Sequence, residues 1–175
     1  MNNKIKVLLS EEEVDARIAE LGAQISKEYE GEEIFMICTL KGACFFACEL
    51  AKRITVPVAL DFMSVSSYGN GSVSSGKIIM KKDLEESIVG KNVIVVEDIV
   101  DTGRTLSYLM DNLKQRGPKS LKLCAMLDKP DRRVVDIKAD YTGFEIPDLF
   151  VIGYGLDYAQ RYRNLPYIGV LEVEE

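Results

Sequence analysis

The stretch that most constrains the fold is residues 91–106, with the sequence KNVIVVEDIVDTGRTL. Residues 93–96 are all valine or isoleucine, and such a short β-branched run predicts a strand that is buried on both faces of a sheet. Glu97 and Asp98 follow directly, where a parallel strand would end. This pattern predicts an α/β sheet with acidic groups at one edge.

A polar turn and an amphipathic helix follow the acidic pair. The turn is DTGRT at residues 101–105, and the helix has an apolar stripe formed by Leu106, Leu109, Met110 and Leu113. Ligands of open α/β sheets bind beside the carboxyl ends of the strands, and the N-terminus of a helix attracts anions. The stretch therefore offers carboxylates for hydroxyl groups or a metal ion, and backbone N–H groups for a phosphate.

Composition narrows the class of protein. At 175 residues the chain fits a single domain, and 47% hydrophobic with 29% charged residues is ordinary for a soluble globular protein. It has no apolar run that could span a bilayer and no signal-peptide pattern, so we expect a cytoplasmic protein without membrane contacts. The net charge of −6 argues against broad nucleic-acid binding. Since the chain has no histidine, acid–base chemistry must come from carboxylates, lysine or tyrosine.

The remaining hydrophobic patterns predict helices that alternate with strands. Ser10 and Glu13 form a capping box before a helix over residues 11–29, and a second helix is predicted over residues 43–52. Further strands are predicted at residues 34–38, 56–65, 121–127, 149–153 and 167–173. This order indicates a mainly parallel, twisted α/β sheet flanked by helices.

Residues 66–76 have a different composition, SSYGNGSVSSG. Such a segment cannot bury enough apolar surface to offset the entropy lost on ordering. A flexible linker is one interpretation. Strand-like segments at residues 59–63 and 77–80 flank it, which favours a mobile hairpin tip that closes over a site.

Polar residues follow nearly every predicted strand: Lys41, Glu97, Asp98, Lys129 and Asp157. Because the ends of parallel strands share one edge of a sheet, these residues could converge on one cleft. For Lys129 or Asp157 alone, a solvated surface charge is the simpler interpretation. Glu97, Asp98 and Asp101 together are harder to explain in that way, because neighbouring acids repel without a cation or a hydrogen-bonded ligand.

The four cysteines, at positions 38, 44, 48 and 124, lie in apolar segments and form no CxxC pair. Cys44 and Cys48 are four residues apart on a predicted helix, so a metal or redox role is one interpretation. Buried free thiols that behave as small hydrophobic groups are the favoured one.

Residues 93–106 resemble the phosphoribosyl-pyrophosphate (PRPP) motif of type I phosphoribosyltransferases: a hydrophobic strand, two acids and a D-T-G-x-T phosphate loop. Residues 40–42, LKG, resemble that family's pyrophosphate-binding turn, and residues 66–68 resemble the start of its mobile catalytic loop. Lys129 and the segment FVIGYGLDY at residues 150–158, with Arg163 beyond it, resemble the hypoxanthine–guanine branch.

The resemblance implies an activity and an architecture. We expect transfer of the 5-phosphoribosyl group from PRPP to N9 of hypoxanthine and guanine, with Mg²⁺, as a step of purine salvage. The fold would be one domain over residues 1–175, with a core at about 30–145 and a small hood formed by the terminal segments. PRPP and an oxo-purine would be the substrates, and the assembly a homodimer or homotetramer.

The resemblance also implies roles for individual residues. PRPP and its phosphates would contact Lys41, Gly42, Glu97, Asp98, Asp101, Thr102, Gly103, Arg104, Thr105 and Arg163. The purine site would include Lys129, Phe150, Val151 and Asp157, and Mg²⁺ would bind near Glu97, Asp98 and Asp157. Asp101 would be the catalytic group that accepts the purine N7 proton. Ser67 and Tyr68, in the mobile loop, would close over the pyrophosphate and exclude water.

Two other interpretations share parts of this pattern. A uracil phosphoribosyltransferase that also regulates RNA would carry the same PRPP loop, but Lys129, residues 150–157 and the acidic charge disfavour it. A non-enzymatic phospho-receiver module also has an acidic pair and a strand-end aspartate. Its acidic pair lies on a strand well before the phosphorylated aspartate, whereas here the pair precedes Asp101 by three and four residues. Hypoxanthine, guanine and xanthine remain alternatives for the preferred base.

Overall fold

Helices and strands alternate as far as residue 67, as the sequence predicts, whereas the later described strands are separated by one α-helix and otherwise by loops and a 3-10 turn. The computed structural model describes residues 4–67 and 78–172. The described strands are β1 (Lys4–Leu9), β2 (Ile34–Thr39), β3 (Val58–Ser67), β4 (Ile78–Lys82), β5 (Asn92–Val100), β6 (Ser120–Asp128), β7 (Tyr141–Glu145), β8 (Val151–Ile152) and β9 (Ile168–Glu172). The described helices are α1 (Glu11–Glu28), α2 (Cys44–Arg53) and α3 (Arg104–Gln115), with a 3-10 turn at Pro130–Arg132.

The larger sheet has six strands in the order β4-β3-β2-β5-β6-β7. The pairs β2–β3, β2–β5, β5–β6 and β6–β7 are parallel, and only the edge pair β3–β4 is antiparallel. The predicted α/β fold with a mainly parallel sheet is therefore confirmed. The acidic strand β5 lies between β2 and β6, so its carboxyl end is near the middle of the sheet edge.

Helices cover both faces of this sheet, which explains the continuous apolar run in β5. On one face, Ile94 and Val96 pack in a core with residues of α1 and α2. On the other face, Val93 and Val95 pack with Leu109 of α3 and its neighbours. A strand buried on both sides has no polar positions until it leaves the core.

The predicted capping box at the start of α1 is confirmed. The Glu13 backbone N–H donates to Ser10 Oγ at 3.2 Å, and the Ser10 N–H donates to Glu13 Oε2 at 2.8 Å. Four residues with no exposed surface form the buried stripe of the helix: Val14, Ile18, Leu21 and Ile25. Arg17 connects the helix to β7 by donating to the carbonyl oxygens of Thr142 and Gly143 at 2.8 and 2.9 Å.

The terminal segments form a separate three-stranded antiparallel sheet in the order β1-β9-β8. The sequence pattern does not predict β1, because KIKVLL is short and carries two lysines. Its register is set by β9, with Ile5 opposite Leu171 and Val7 opposite Gly169. Pairing with a strand that is distant in the sequence therefore determines that this segment is extended.

Two local predictions need correction. The strand predicted to end at residue 96 continues to Val100, because Glu97 and Ile99 keep parallel register with Ala125 and Leu127 of β6. Of the cysteines, Cys38 and Cys124 are buried, but Cys48 is exposed on α2.

The proposed mobile loop begins where β3 ends. β3 reaches Ser67 and pairs antiparallel with β4, with Ser66 opposite Ile79. Residues 68–77, which include Tyr68, lie outside the described residues, as does the side chain of Ser67. Within the described ranges, no helix has both the length and the hydropathy needed to cross a membrane.

Candidate functional site

A cavity of about 300 Å³ opens at the carboxyl ends of the central strands. Its wall combines the ends of β2 and β5, the turn before α3 and the first turns of that helix. The polar residues of the wall are Thr39, Glu97, Asp101, Thr102 and Thr105. The structure thus brings one acid of the pair, the third acid and most of the predicted phosphate loop to one concave surface.

The turn before α3 has a backbone that only glycine adopts readily at its centre. Gly103 has a φ of 82°, and a Cβ there would lie 2.5 Å from Ile137 Cγ2. The segment after β6 supports the turn, since Arg133 Nε donates to the Asp101 carbonyl oxygen at 3.0 Å and the Val134 N–H to that of Thr102 at 3.1 Å. The turn is therefore held in place, with the N-terminus of α3 behind it to attract an anion.

Arg104 begins α3 with an exposed side chain and is not among the residues that line this cavity. Its expected phosphate contact therefore stays a prediction.

Glu97 and Asp98 are adjacent carboxyl groups in a mainly protein environment. Removal from water, then repulsion from Asp98, raises the pKa of Glu97 well above its usual value. Removal from water also raises the pKa of Asp98, while nearby Arg163 opposes that shift. Both side chains nevertheless keep some exposed surface towards the open edge. This arrangement disfavours two negative charges and favours a cation or hydroxyl donors from a ligand.

The carboxylate oxygens of the acidic pair are suitable ligands for Mg²⁺. Hard carboxylate oxygens suit this ion, which usually keeps several waters and binds through one or two protein carboxylates together with substrate phosphates. Among residues 4–67 and 78–172, no group of three or more metal-ligating side chains is present. A protein-only cage is therefore absent from the described part of the chain, and the substrate would have to complete the coordination.

The predicted pyrophosphate turn packs between β5 and the C-terminal segment. A Cβ on Gly42 would lie 1.6 Å from Asp98 Oδ2, and a Cβ on Gly155 would lie 1.9 Å from the Gly42 carbonyl oxygen. The Leu40–Lys41 peptide bond of this turn is cis. Glycine is required at both positions because each lets two chain segments approach more closely than any side chain allows.

A chain of charged groups joins Asp101 to the predicted purine residues. Arg132 Nε lies 3.0 Å from Asp101 Oδ1, and Arg132 Nη1 lies 3.5 Å from Asp148 Oδ2. Asp148 Oδ1 in turn lies 3.7 Å from Nζ of Lys129. Lys129 is almost buried and also donates to the carbonyl oxygen of Leu149.

Phe150 is an exposed aromatic residue of this region, with 55% of its surface accessible. Tyr158 packs edge-on against it, with 5.7 Å between ring centroids and an interplanar angle of 89°. The next residue, Val151, is buried and starts β8. A fixed ring with an open face beside a buried strand is an arrangement on which a planar base could stack.

The last predicted residues, Asp157 and Arg163, form an ion pair at 2.7 Å. Arg163 also donates to the Gly155 carbonyl oxygen at 2.7 Å, which connects the pair to the turn of Gly42. Lys41 is connected to this segment through Gln160, whose side-chain Oε1 lies 3.3 Å from Lys41 Nζ.

The structure adds residues that the sequence analysis missed: Arg132, Arg133, Asp148, Tyr158 and Gln160. The two arginines lie three and four residues after the predicted strand-end lysine, so their position after β6 was a usable signal. No sequence signal pointed to Gln160, because a neutral, exposed loop residue belongs to no recognisable motif.

Comparison with known families and proteins places this arrangement in context. A family model described as a phosphoribosyl transferase domain matches residues 5–159. The hypoxanthine-guanine phosphoribosyltransferase of Bacillus subtilis is 53% identical over 167 residues, which cover 95% of this chain and 93% of that protein. The bifunctional protein TilS/HprT of Listeria monocytogenes is 55% identical over 175 residues, but the match spans only 27% of that longer protein.

Solved structures show the same fold. A hypoxanthine phosphoribosyltransferase from Staphylococcus aureus has a TM-score of 0.92 and 48% identity, over 95% of this chain and 91% of that one. A hypoxanthine-guanine phosphoribosyltransferase from Bacillus anthracis, with a HEPES molecule in the active site, has a TM-score of 0.92 and 50% identity, over 97% of this chain and 100% of that one.

Proposed function

The chain belongs to the phosphoribosyl transferase domain family, and from this membership we propose that it is a hypoxanthine or hypoxanthine–guanine phosphoribosyltransferase. It transfers the 5-phosphoribosyl group of PRPP to N9 of the oxo-purine and releases pyrophosphate, which is a purine salvage reaction. The observation that carries the proposal is the connection between the donor site and the base site. Asp101, beside the phosphate loop, is joined through Arg132 and Asp148 to Lys129.

The donor site supplies complementary groups for each part of PRPP. The turn at residues 101–105 and the N-terminus of α3 bind the 5-phosphate through backbone N–H groups. Glu97 and Asp98 accept hydrogen bonds from the ribose hydroxyls. Lys41 and Arg163 contact the pyrophosphate. When bound near Glu97, Asp98 and Asp157, Mg²⁺ supplies positive charge that offsets the charge of the departing pyrophosphate.

The base site selects an oxo-purine. Phe150 stacks on the ring and the Val151 backbone contacts its edge, while Lys129 donates a hydrogen bond to the 6-oxo group. The contact of Lys129 with the Leu149 carbonyl oxygen and its proximity to Asp148 fix its direction. Adenine presents an amino group at this position, and a cation that can only donate rejects it.

The reaction is a displacement at the anomeric carbon. The bond from that carbon to the pyrophosphate oxygen breaks, the bond to purine N9 forms, and Asp101 accepts the proton from N7. The ion pair with Arg132 orients the Asp101 carboxylate at the rim of the cavity. Exclusion of water matters because water would otherwise hydrolyse PRPP.

Assembly and location belong to the same proposal: a homodimer or homotetramer in the cytoplasm, without nucleic-acid or membrane partners. A solved Trypanosoma cruzi hypoxanthine phosphoribosyl transferase, 42% identical to this chain, is described in terms of the role of its C-terminal region in the oligomeric state and activity. Closed symmetric assemblies are the usual form of soluble oligomers. Light scattering of the purified protein tests the assembly.

A turnover assay tests the activity. The protein is incubated with PRPP, Mg²⁺ and one base at a time: hypoxanthine, guanine, xanthine, adenine or uracil. We expect nucleotide from hypoxanthine and guanine, with adenine poorer by at least roughly 100-fold because the base site leaves a buried donor unpaired. Failure to form nucleotide from any oxo-purine would overturn the proposal, and product from uracil alone would favour the uracil enzyme.

A further inference from the structure

Gln160 joins the two cations that the proposed function assigns to pyrophosphate. Its side-chain Oε1 accepts hydrogen bonds from Lys41 Nζ and from Arg163 Nη2, both at 3.3 Å. Lys41 follows β2, whereas Arg163 precedes β9, so a single amide oxygen bridges two distant segments. Both partners are donors only, so the oxygen and not the NH₂ group of the amide must face them.

An unusual backbone directs this side chain towards the cations. Gln160 has a φ of +65° and Ala159 a φ of +50°, in the left-handed region that non-glycine residues seldom adopt. The Gln160 N–H donates to Asp157 Oδ2 at 2.7 Å, and Asp157 Oδ1 pairs with Arg163 at 2.7 Å. Asp157 therefore joins the turn to Arg163, while Lys41 is joined to the turn through the Gln160 side chain.

The position between these cations is suited to an anionic oxygen. Lys41 and Arg163 repel each other, and Asp157 pairs with Arg163 but leaves one net positive charge among the three groups. The partial negative charge of the amide oxygen offsets that remaining charge only in part. Resting on the proposed function, we propose that Gln160 is an intramolecular stand-in for a pyrophosphate oxygen. It occupies the position in the free protein, is displaced when pyrophosphate binds, and returns when pyrophosphate leaves.

The stand-in has a defined thermodynamic consequence. A contact that exists only in the free state stabilises that state and therefore lowers the affinity for the ligand that displaces it. Gln160 thus weakens pyrophosphate binding and favours release of the product. Removal of the side chain should tighten binding, whereas a carboxylate in its place should compete more strongly and weaken it.

The test is calorimetric titration of the whole protein with pyrophosphate in the presence of Mg²⁺. For Gln160→Ala we expect a Kd lowered roughly threefold to tenfold, the size that loss of two exposed hydrogen bonds permits. Gln160→Asn, which keeps the amide but shortens its reach, should behave like the alanine variant. Gln160→Glu should raise the Kd, and added salt should reduce this increase because it screens the charge.

Ala159→Glu is the matched control, because it adds the same charge one residue away, at a position whose backbone also has a positive φ. It should raise the Kd less than Gln160→Glu does. A weaker affinity in Gln160→Ala would overturn the stand-in and make the residue a pyrophosphate ligand instead. An unchanged affinity in that variant, or equal effects of the two glutamates, would overturn it as well.

Turnover of the unmodified protein separates this inference from the proposed function. If the protein forms nucleotide but Gln160→Ala does not bind pyrophosphate more tightly, only the stand-in fails. If the unmodified protein and its Gln160 variants bind pyrophosphate in the expected order of affinity but the unmodified protein forms no nucleotide, the stand-in holds and the proposed reaction fails. Absence of pyrophosphate binding by the unmodified protein would overturn the stand-in directly.

Discussion

The Asp101 carboxylate and the Arg132 guanidinium form an ion pair with 3.0 Å between Oδ1 and Nε. Both side chains are nearly half exposed, so solvent screens the pair and it contributes little to the stability of the fold. Its effect is geometric, because a planar guanidinium holds a carboxylate in a defined orientation. Among the three acids of the motif, Asp101 is the one that forms an ion pair within the described residues, which separates its role from that of Glu97 and Asp98.

The Asp101 carboxylate is expected to matter for turnover rather than for binding. Asp101→Asn keeps the shape of the side chain but cannot accept the N7 proton, so we expect kcat to fall by about 10² to 10⁴. The Kd for PRPP should change little. Asp131→Asn removes the same charge from an exposed position in the adjacent turn and serves as the control. Equal loss of PRPP binding and turnover in Asp101→Asn would show that the residue is a ligand and not a base.

Position 42 should tolerate no side chain, because Gly42 lies against Asp98. A Cβ at Gly42 would lie 1.6 Å from Asp98 Oδ2, so Gly42→Ala must displace the turn of Lys41 or the acid. We expect kcat/KM for PRPP to fall by at least roughly 100-fold, since small displacements in a site have such effects. Gly31→Ala is the control.

A Cβ at Gly31 meets no atom within 4 Å, although its φ of +77° disfavours alanine. This control should therefore lose some stability, measured by thermal unfolding, and keep its activity. Normal PRPP kinetics in Gly42→Ala would contradict the close packing described for this turn.

Folding stability should depend on the raised pKa of Glu97. Removal from water, together with repulsion from Asp98, raises the pKa of this carboxyl, so the folded state binds more protons than the unfolded state. The free energy of unfolding therefore falls as the pH rises from the unfolded pKa, about 4.3, towards the folded pKa. Glu97→Gln removes this penalty. Without Mg²⁺, we expect its Tm to exceed that of the unmodified protein by about 2 to 4 °C at pH 7.5.

Below the unfolded pKa the carboxyl is neutral in the folded state and mostly neutral in the unfolded state, so the gain in Tm should shrink to a small fraction. Thermal unfolding at pH 4 and pH 7.5 measures the difference, with the exposed Glu30→Gln as the control that should show none. The same gain at both values of pH would mean that the effect arises from packing rather than from ionisation.

Selectivity for the base should depend on Lys129. Lys129→Gln keeps hydrogen-bonding ability but removes the charge and adds an acceptor for an amino group. We expect kcat/KM for hypoxanthine to fall by roughly 10- to 100-fold, and the ratio of hypoxanthine to adenine turnover to fall with it. Lys138→Gln, in the loop before β7, is the control. A uniform loss for all bases would place Lys129 outside the base site.

The central sheet and the donor motif were predictable from sequence because they depend on local pattern. An apolar β-branched run, an acidic pair and a D-T-G-x-T turn are contiguous, and the capping box at Ser10 spans only four residues. The end of β5 was predicted too early, since the acids at its end look like loop residues until their pairing with β6 is known. Strand β1 was missed for a similar reason.

The sequence by itself determined the resemblance to phosphoribosyltransferases, the α/β class and the residues of the phosphate loop. Only the tertiary structure decided that Arg132 pairs with Asp101, that Gly42 lies against Asp98, and that Gln160 lies between Lys41 and Arg163. These contacts join segments that are dozens of residues apart or depend on a left-handed turn. Their distances follow from how the strands and loops pack, and no local pattern of side chains encodes that packing.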